Sequence, residues 1–194
     1  MKHQALQIVH DEHKALGAML QTLHILGGRL KADARAEDFD LVRAILFYID
    51  EFPEKRHHAN ESSALFPRLR ARSPEAAAVL DRLDQEHHRS RATVRELEYL
   101  LLAFEQMGES RHLAFSTALE HFIEFYAHHM QVEEKEVLPL AEKVLQDDDW
   151  AVINAAFQEH KDPLTGHTPS EEYQKLFEKI LERAPAPLGL GKPA

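Results

Sequence analysis

Two stretches of this sequence share a pattern that can hold a cation. His57-His58-Ala59-Asn60-Glu61 precedes Leu65-Phe66-Pro67, and His129-Met130-Gln131-Val132-Glu133 precedes Val137-Leu138-Pro139. Each is His-x-x-x-Glu with a proline six residues past the glutamate. A second pair repeats beside them, Glu12-His13 early in the chain and Glu86-His87 further on. The separations agree as well: 44 residues from His13 to His57 and 42 from His87 to His129. The body of the chain therefore reads as two related helical hairpins, each contributing one lone histidine and one His-x-x-x-Glu.

The spacing has a direct physical meaning. Residues i and i+4 share one face of a helix a turn apart, so both side chains of each motif can point inward. Facing helices can then bring four imidazoles (His13, His57, His87, His129) and two carboxylates (Glu61, Glu133) to one interior point, as in di-iron carboxylate bundles. Neutral imidazole suits iron, zinc, copper or nickel, and a carboxylate can join two ions. Two bare glutamates in an apolar core would cost several kcal/mol each without a cation. A single His-x-x-x-Glu carries little weight, because a solvated helix face in a chain this rich in histidine and acid produces one by chance. The duplication, with its shared proline and matching Glu-His, is what marks a metal site.

Composition narrows the chemistry. The chain has 194 residues, 14 histidines and no cysteine, with 33 Asp+Glu against 23 Lys+Arg and a formal net charge of −10. Disulfides, thiolate metal sites, iron–sulfur clusters and thiol nucleophiles are excluded, so any metal must be held by nitrogen and oxygen. The acidic balance argues against a nucleic-acid-binding face. Nothing resembles a P-loop, a Rossmann fingerprint or a G-x-S-x-G elbow. Met1–Ala5 runs straight into a charged stretch with no apolar leader, and the longest apolar patches, Ile45–Tyr48 and Tyr99–Phe104, are too short to span a bilayer. A soluble, cytoplasmic protein with no membrane partner is expected.

The elements that must position these residues follow from periodicity and breakers. Leu6, Val9, His13, Leu16, Leu20, Leu23 and Leu30 recur at helical steps, with Gly27-Gly28 weakening that helix near its end and Lys31–Glu37 forming a polar connection. A second helix is expected from about Asp38, kinked or restarted at Pro53 and ended by Pro67. Ser73-Pro74-Glu75 starts a third that closes before Gly108, and a fourth runs from near Ser110 to about Pro139. Trp150–His160 and Glu171–Leu181 look like shorter helices, and Pro185, Pro187, Pro193, Gly189 and Gly191 mark a frayed terminus. The expectation is an all-α fold, an antiparallel up-down four-helix bundle over residues 1–146, with a helical extension and tail over 147–194 packed on the same domain.

The remaining histidines have plainer readings. His10, three residues before His13, is a neighbour of the site or a spare ligand. His58 and His128 flank candidate ligands but point roughly 100° away on a helix, which puts them on the surface or behind the ligands, and His88 is similar. His24 reads as a core or hairpin-end residue, and Glu159-His160, without a His-x-x-x-Glu partner, as structural. Glu12 and Glu86 either orient the histidines of neighbouring helices by accepting a ring N–H or complement a helix dipole. Phe115, Phe122, Phe125 and Tyr126 form a core stripe that would also keep a metal pocket dry.

Ile8–Leu23 around Glu12-His13, Tyr48–Pro67 (YIDEFPEKRHHANESSALFP), Asp84–Leu97 around Glu86-His87 and Tyr126–Ala141 (YAHHMQVEEKEVLPLA) resemble the hemerythrin-like HHE cation-binding domains. Trp150–Leu164 (WAVINAAFQEHKDPL) resembles that family's C-terminal extension. The resemblance implies a four-helix bundle around an oxo- or hydroxo-bridged non-haem di-iron centre reactive toward dioxygen. His13, His57, His87 and His129 would be terminal ligands, and Glu61 and Glu133 bridging carboxylates. Hemerythrin has a fifth histidine one turn after the third-helix ligand; here that position is Arg91, which cannot ligate. Ser62 likewise breaks a second acidic position that Glu134 keeps. The expected role is to bind, sense or reduce a small molecule such as dioxygen, peroxide or nitric oxide, with the redox partner open. The alternative is a metal-binding module without turnover: an iron reservoir, or a regulatory or structural site, mononuclear or loaded with zinc.

Overall fold

The computed structural model describes residues 3–159, 162–186 and 188–189; His160, and Pro187, Gly191 and Pro193 of the expected frayed terminus, lie outside the described residues. Among the described residues there is no strand, and no helix is long and apolar enough to cross a membrane. Four long helical runs follow one another: α1 (Gln4–Ala32), α2 (36–72), α3 (Ala77–Met107) and α4 (112–144). Two shorter helices come after them, α5 (Asp147–Glu159) and α6 (Glu171–Arg183).

The Gly27-Gly28 pair does not weaken α1 enough to stop it, because Leu26 and Leu30 stay buried beyond it. Gly27 has a packing reason: a Cβ there would lie 2.9 Å from the Leu119 side chain of α4. The α3 C-terminus needs a different glycine property, since Gly108 takes φ 71°, a conformation costly for any side chain bearing a Cβ. Ser73 precedes the Pro74–Ala76 turn that opens α3, although its side chain makes no capping hydrogen bond.

Proline shapes α2 and α4 more subtly than expected. α2 is α-helical over Ala36–Ile49, π-helical over Asp50–His57, α-helical for His58–Asn60, π-helical again over Glu61–Leu65 and α-helical over Phe66–Arg72. Pro67 therefore does not end the helix. A proline ring clashes with the carbonyl four residues back, and the wider π turn, bonded at five-residue spacing, relieves that clash and lets the helix continue. α4 repeats the device, with π-helical Glu133–Val137 between α-helical His112–Val132 and Leu138–Val144, so it too continues past Pro139. Both motif glutamates open a π segment, so the sequence repeat is also a repeat of backbone conformation.

Helix α1 packs against α2 and α4, and α3 packs against the same two. Their apolar faces form two clusters rather than one. The first gathers Leu16–Leu30 positions of α1, Phe39–Phe52 of α2, Val94–Phe104 of α3 and Phe115–Tyr126 of α4. The second gathers Leu6 and Val9, Leu65–Leu69, Leu80 and Leu83, and Val132–Leu145, with Trp150, Ile153 and Phe157 of α5. α1 and α3 pass from the second cluster to the first, and α2 and α4 pass the other way. Each fully buried Leu, Ile or Phe contributes about 1.5–3 kcal/mol. Between the clusters each helix carries its histidine, and that gap is the polar layer.

The C-terminal residues close over this scaffold. α5 lies on α1 and on the second π segment of α2, and α6 lies on α2. Ala5 N–H, an otherwise orphaned donor of the first turn of α1, donates to Asn154 Oδ1 at 2.8 Å. Tyr48 donates its hydroxyl hydrogen to the buried Asp162 carboxylate, which also accepts Leu164 N–H at 2.8 Å. Burial pushes the Asp162 carboxyl up to about 6. Tyr173 donates to Glu51 at 2.6 Å, and Lys179 and Arg183 reach Asp40.

Replacing Tyr48 with Phe removes a donor to a carboxylate that stays buried. We expect Tyr48→Phe to lower stability by about 1–3 kcal/mol, read as a shifted urea midpoint with an unchanged slope; a midpoint equal to wild type would show that Asp162 does not rely on this bond.

Candidate metal centre

The polar layer gathers all six sequence-selected residues in one place. His13 comes from α1, His57 and Glu61 from α2, His87 from α3, and His129 and Glu133 from α4, and all six are buried. His13 and His57 face each other with Nε2 atoms 3.1 Å apart. His87 and His129 do the same at 3.1 Å. The two glutamates lie between these pairs, both at 0% exposure. Glu61 Oε1 is 3.4 Å from His57 Nε2, while its Oε2 is 3.5 Å from His87 Nε2. Glu133 Oε2 is 3.3 Å from His13 Nε2, and its Oε1 is 3.2 Å from His129 Nε2. Each carboxylate thus turns one oxygen toward each histidine pair.

The outer ring nitrogens are tied back. His57 Nδ1–H donates to Glu12 at 2.7 Å, and His129 Nδ1–H donates to Glu86 at 2.7 Å. Glu12 and Glu86 therefore orient histidines of neighbouring helices. His13 Nδ1–H donates to Glu134 at 2.9 Å, and His10 reaches the same carboxylate at 2.7 Å. His10 is a partner of that carboxylate and lies outside both groups of clustered ligating atoms. Ser62, the residue that departs from the acidic pattern, serves the fourth ring. It accepts from His87 Nδ1–H at 2.9 Å and donates to Asp84 at 2.6 Å, so a serine–aspartate relay stands where the other motif uses Glu134 directly.

This hydrogen-bonding fixes the electronic state of the site. A neutral imidazole with its proton on Nδ1 presents a lone pair at Nε2. Two such lone pairs 3.1 Å apart cannot bond to each other, so without a cation one ring of each pair must take up a second proton. All four oxygens of Glu61 and Glu133 are buried without a hydrogen-bond partner. Burial, then Glu133, push the Glu61 carboxyl well above the ordinary carboxylate range. Burial acts the same way on Glu133, but His129 and the other imidazoles around it hold it well below that range. Burial lowers His13 and His129, yet their glutamate neighbours outweigh it and lift both to about 9. Protons shared among these groups offset the buried carboxylates in the absence of a metal, and a bound cation would displace them and answer both the facing Nε2 atoms and the unpartnered oxygens. The donor set of imidazole and carboxylate fits iron, and equally zinc.

One further ring belongs to this layer. His58 is buried, not on the surface, and one of its nitrogens clusters with Glu61, His87 and His129. The roughly 100° step from His57 thus places it behind the ligands, one of the two positions the spacing allowed. His24, His88 and His128 are exposed, so His24 is not a core residue. Arg91 is exposed too, its guanidinium donating to the Glu54 carbonyl at 3.2 Å. Aromatic rings wall the layer. Phe66 stacks on His87 at 5.6 Å, Phe125 on His129 at 5.9 Å, and Phe157 meets His57 edge-on at 6.2 Å. Phe157 comes from the extension, and nothing in the motif spacing pointed to it.

A family model described as hemerythrin HHE cation binding domain matches residues 4–141. No curated protein matches the chain.

Two outcomes follow from this layer. The raised Glu61 value means that the folded, metal-depleted protein holds a proton there more tightly than the unfolded chain. Its share of stability is present below about pH 4.3 and is lost as pH rises toward the raised value. Glu61→Gln should flatten that loss in metal-depleted protein followed by urea unfolding; an unchanged pH profile would count against a protonated Glu61. Separately, Glu134→Ala and Ser62→Ala should each weaken metal binding about 10–100-fold in a competition titration, and wild-type affinity in both would show that the rings need no such support.

Proposed function

Since the chain belongs to the hemerythrin HHE cation-binding domain family, we propose that it is a cytoplasmic non-haem di-iron protein that binds, senses or reduces dioxygen, peroxide or nitric oxide. His13, His57, His87 and His129 would hold the centre through ring nitrogens, and Glu61 and Glu133 through carboxylate oxygens. The frame of this reading is an antiparallel up-down four-helix bundle over residues 1–146, supported by the short connections and by the alternating order in which α1 to α4 pass the two apolar clusters. Of the extension, α5 and α6 pack on that bundle. The observation that carries the proposal is the pair of fully buried carboxylates, unpartnered, with one oxygen of each facing each histidine pair.

When bound, a di-iron pair supplies reversible electron transfer and coordination positions for a small ligand. The protein's own residues do the rest. Glu12, Glu86, Glu134 and the Ser62–Asp84 relay hold each ring in the tautomer that offers Nε2 inward. Phe66, Phe125 and Phe157 cover His87, His129 and His57 with apolar rings, which strengthens the electrostatic contacts beneath them. A cleft of about 240 Å³ lined by Glu54, His58, Ser62, His87 and Arg91 borders the His87 side of the layer, with volume enough for a diatomic molecule or peroxide.

The second reading, a reservoir or regulatory module without turnover, draws on the burial of all six residues. Protein purified from iron-supplemented cells should contain about two irons per chain, as carboxylate-bridged bundle sites do, and absorb in the near ultraviolet. Zinc in place of iron after such growth would overturn the di-iron assignment. Steady-state decomposition of added peroxide supports chemistry at the centre, whereas full iron without turnover supports the reservoir.

A further inference from the structure

His58 lies in the polar layer without a role in the account above. It is 4% exposed, and its Nδ1 has no hydrogen-bond partner. The nearest carboxylate oxygen, from Glu54, is 3.5 Å from that nitrogen and is occupied by the Ser90 hydroxyl. The ring stacks on His87 at 4.1 Å and 12° and meets His129 edge-on at 5.3 Å. A phenylalanine would fill that space equally well, without a buried nitrogen that needs a partner.

The ligating atoms fall into two groups, each within 4.8 Å: His13, His57, Glu61 and Glu133 in one, and His58, Glu61, His87 and His129 in the other. On the di-iron reading given above, we propose that His58 of α2 is a further ligand, the fifth imidazole of the centre. Glu133 also turns an oxygen toward His129 at 3.2 Å, so both groups face two carboxylates and the second differs by its third imidazole. The two ions would therefore be inequivalent, the one beside His58 having one more nitrogen donor. The sequence repeat is broken at this residue as well as at Ser62, since the matching position in α4 is Met130.

Cobalt(II) serves as the probe, titrated into full-length, metal-depleted protein. In wild-type protein carrying ¹⁵N-histidine, five imidazoles (His13, His57, His58, His87, His129) should show hyperfine-shifted resonances at saturation. Four shifted imidazoles would overturn the assignment without any variant having to fold. In His58→Phe, the first cobalt should bind as in wild type, and the second should weaken about tenfold or more with altered d–d bands. Free imidazole should restore the second site in His58→Gly. Two cobalt ions bound to His58→Phe with unchanged affinity and spectrum would overturn the proposal. If wild-type protein takes up no cobalt or iron at all, the metal reading itself falls and this assignment with it. That result differs from failure of the His58 assignment alone, in which wild-type protein loads two ions but shows four shifted rings.

Discussion

Everything in this molecule is arranged around two carboxylates that have been taken out of water and given no hydrogen-bond donor. Glu61 and Glu133 are fully buried with all four oxygens unpartnered. An uncompensated buried charge is among the most expensive features a core can contain. The protein meets it with facing imidazoles, which can share protons with the carboxylates when no cation is bound and share a cation with them when one is. The raised values at His13 and His129 and the opposite displacements of Glu61 and Glu133 are the first of these states.

The layer imposes its geometry outward. Each histidine needs a fixed tautomer, so each is backed by a carboxylate, directly or through Ser62. Each glutamate must reach both histidine pairs, and each stands at the start of a π segment that re-aims the helix at that point. The prolines six residues on make that wider turn tolerable to the backbone, which connects a sequence feature with no chemistry of its own to the placement of the ligating groups.

Much of this was legible in the sequence, for identifiable reasons. A repeat is robust to local error, and i,i+4 spacing puts His57 with Glu61 and His129 with Glu133 whichever helix end is misjudged. Glu12 and Glu86 were legible because they recur beside the lone histidines. What escaped depended on backbone detail. The α-helical step left His58 either on the surface or behind the ligands without choosing between them, and the habit of proline to end helices stopped α2 at Pro67, five residues before its observed end at Arg72. Phe157 on His57, and Asp162 under Tyr48, are contacts between distant segments, which periodicity cannot report. Ser62 looked like a break in the pattern because its carboxylate, Asp84, belongs to another helix.

The division of the core into two apolar clusters has a consequence for cooperativity. In a helix with one continuous core, opening begins at the frayed ends and the middle is protected longest. Here the middle of α1 to α4 is where apolar contact is interrupted and where charge is held. A bound cation joins the two halves, and its binding free energy adds directly to the folded state. Without it, the slowest-exchanging amides should belong to two separate lobes, with the seam between them, inside every long helix and away from its ends, opening first.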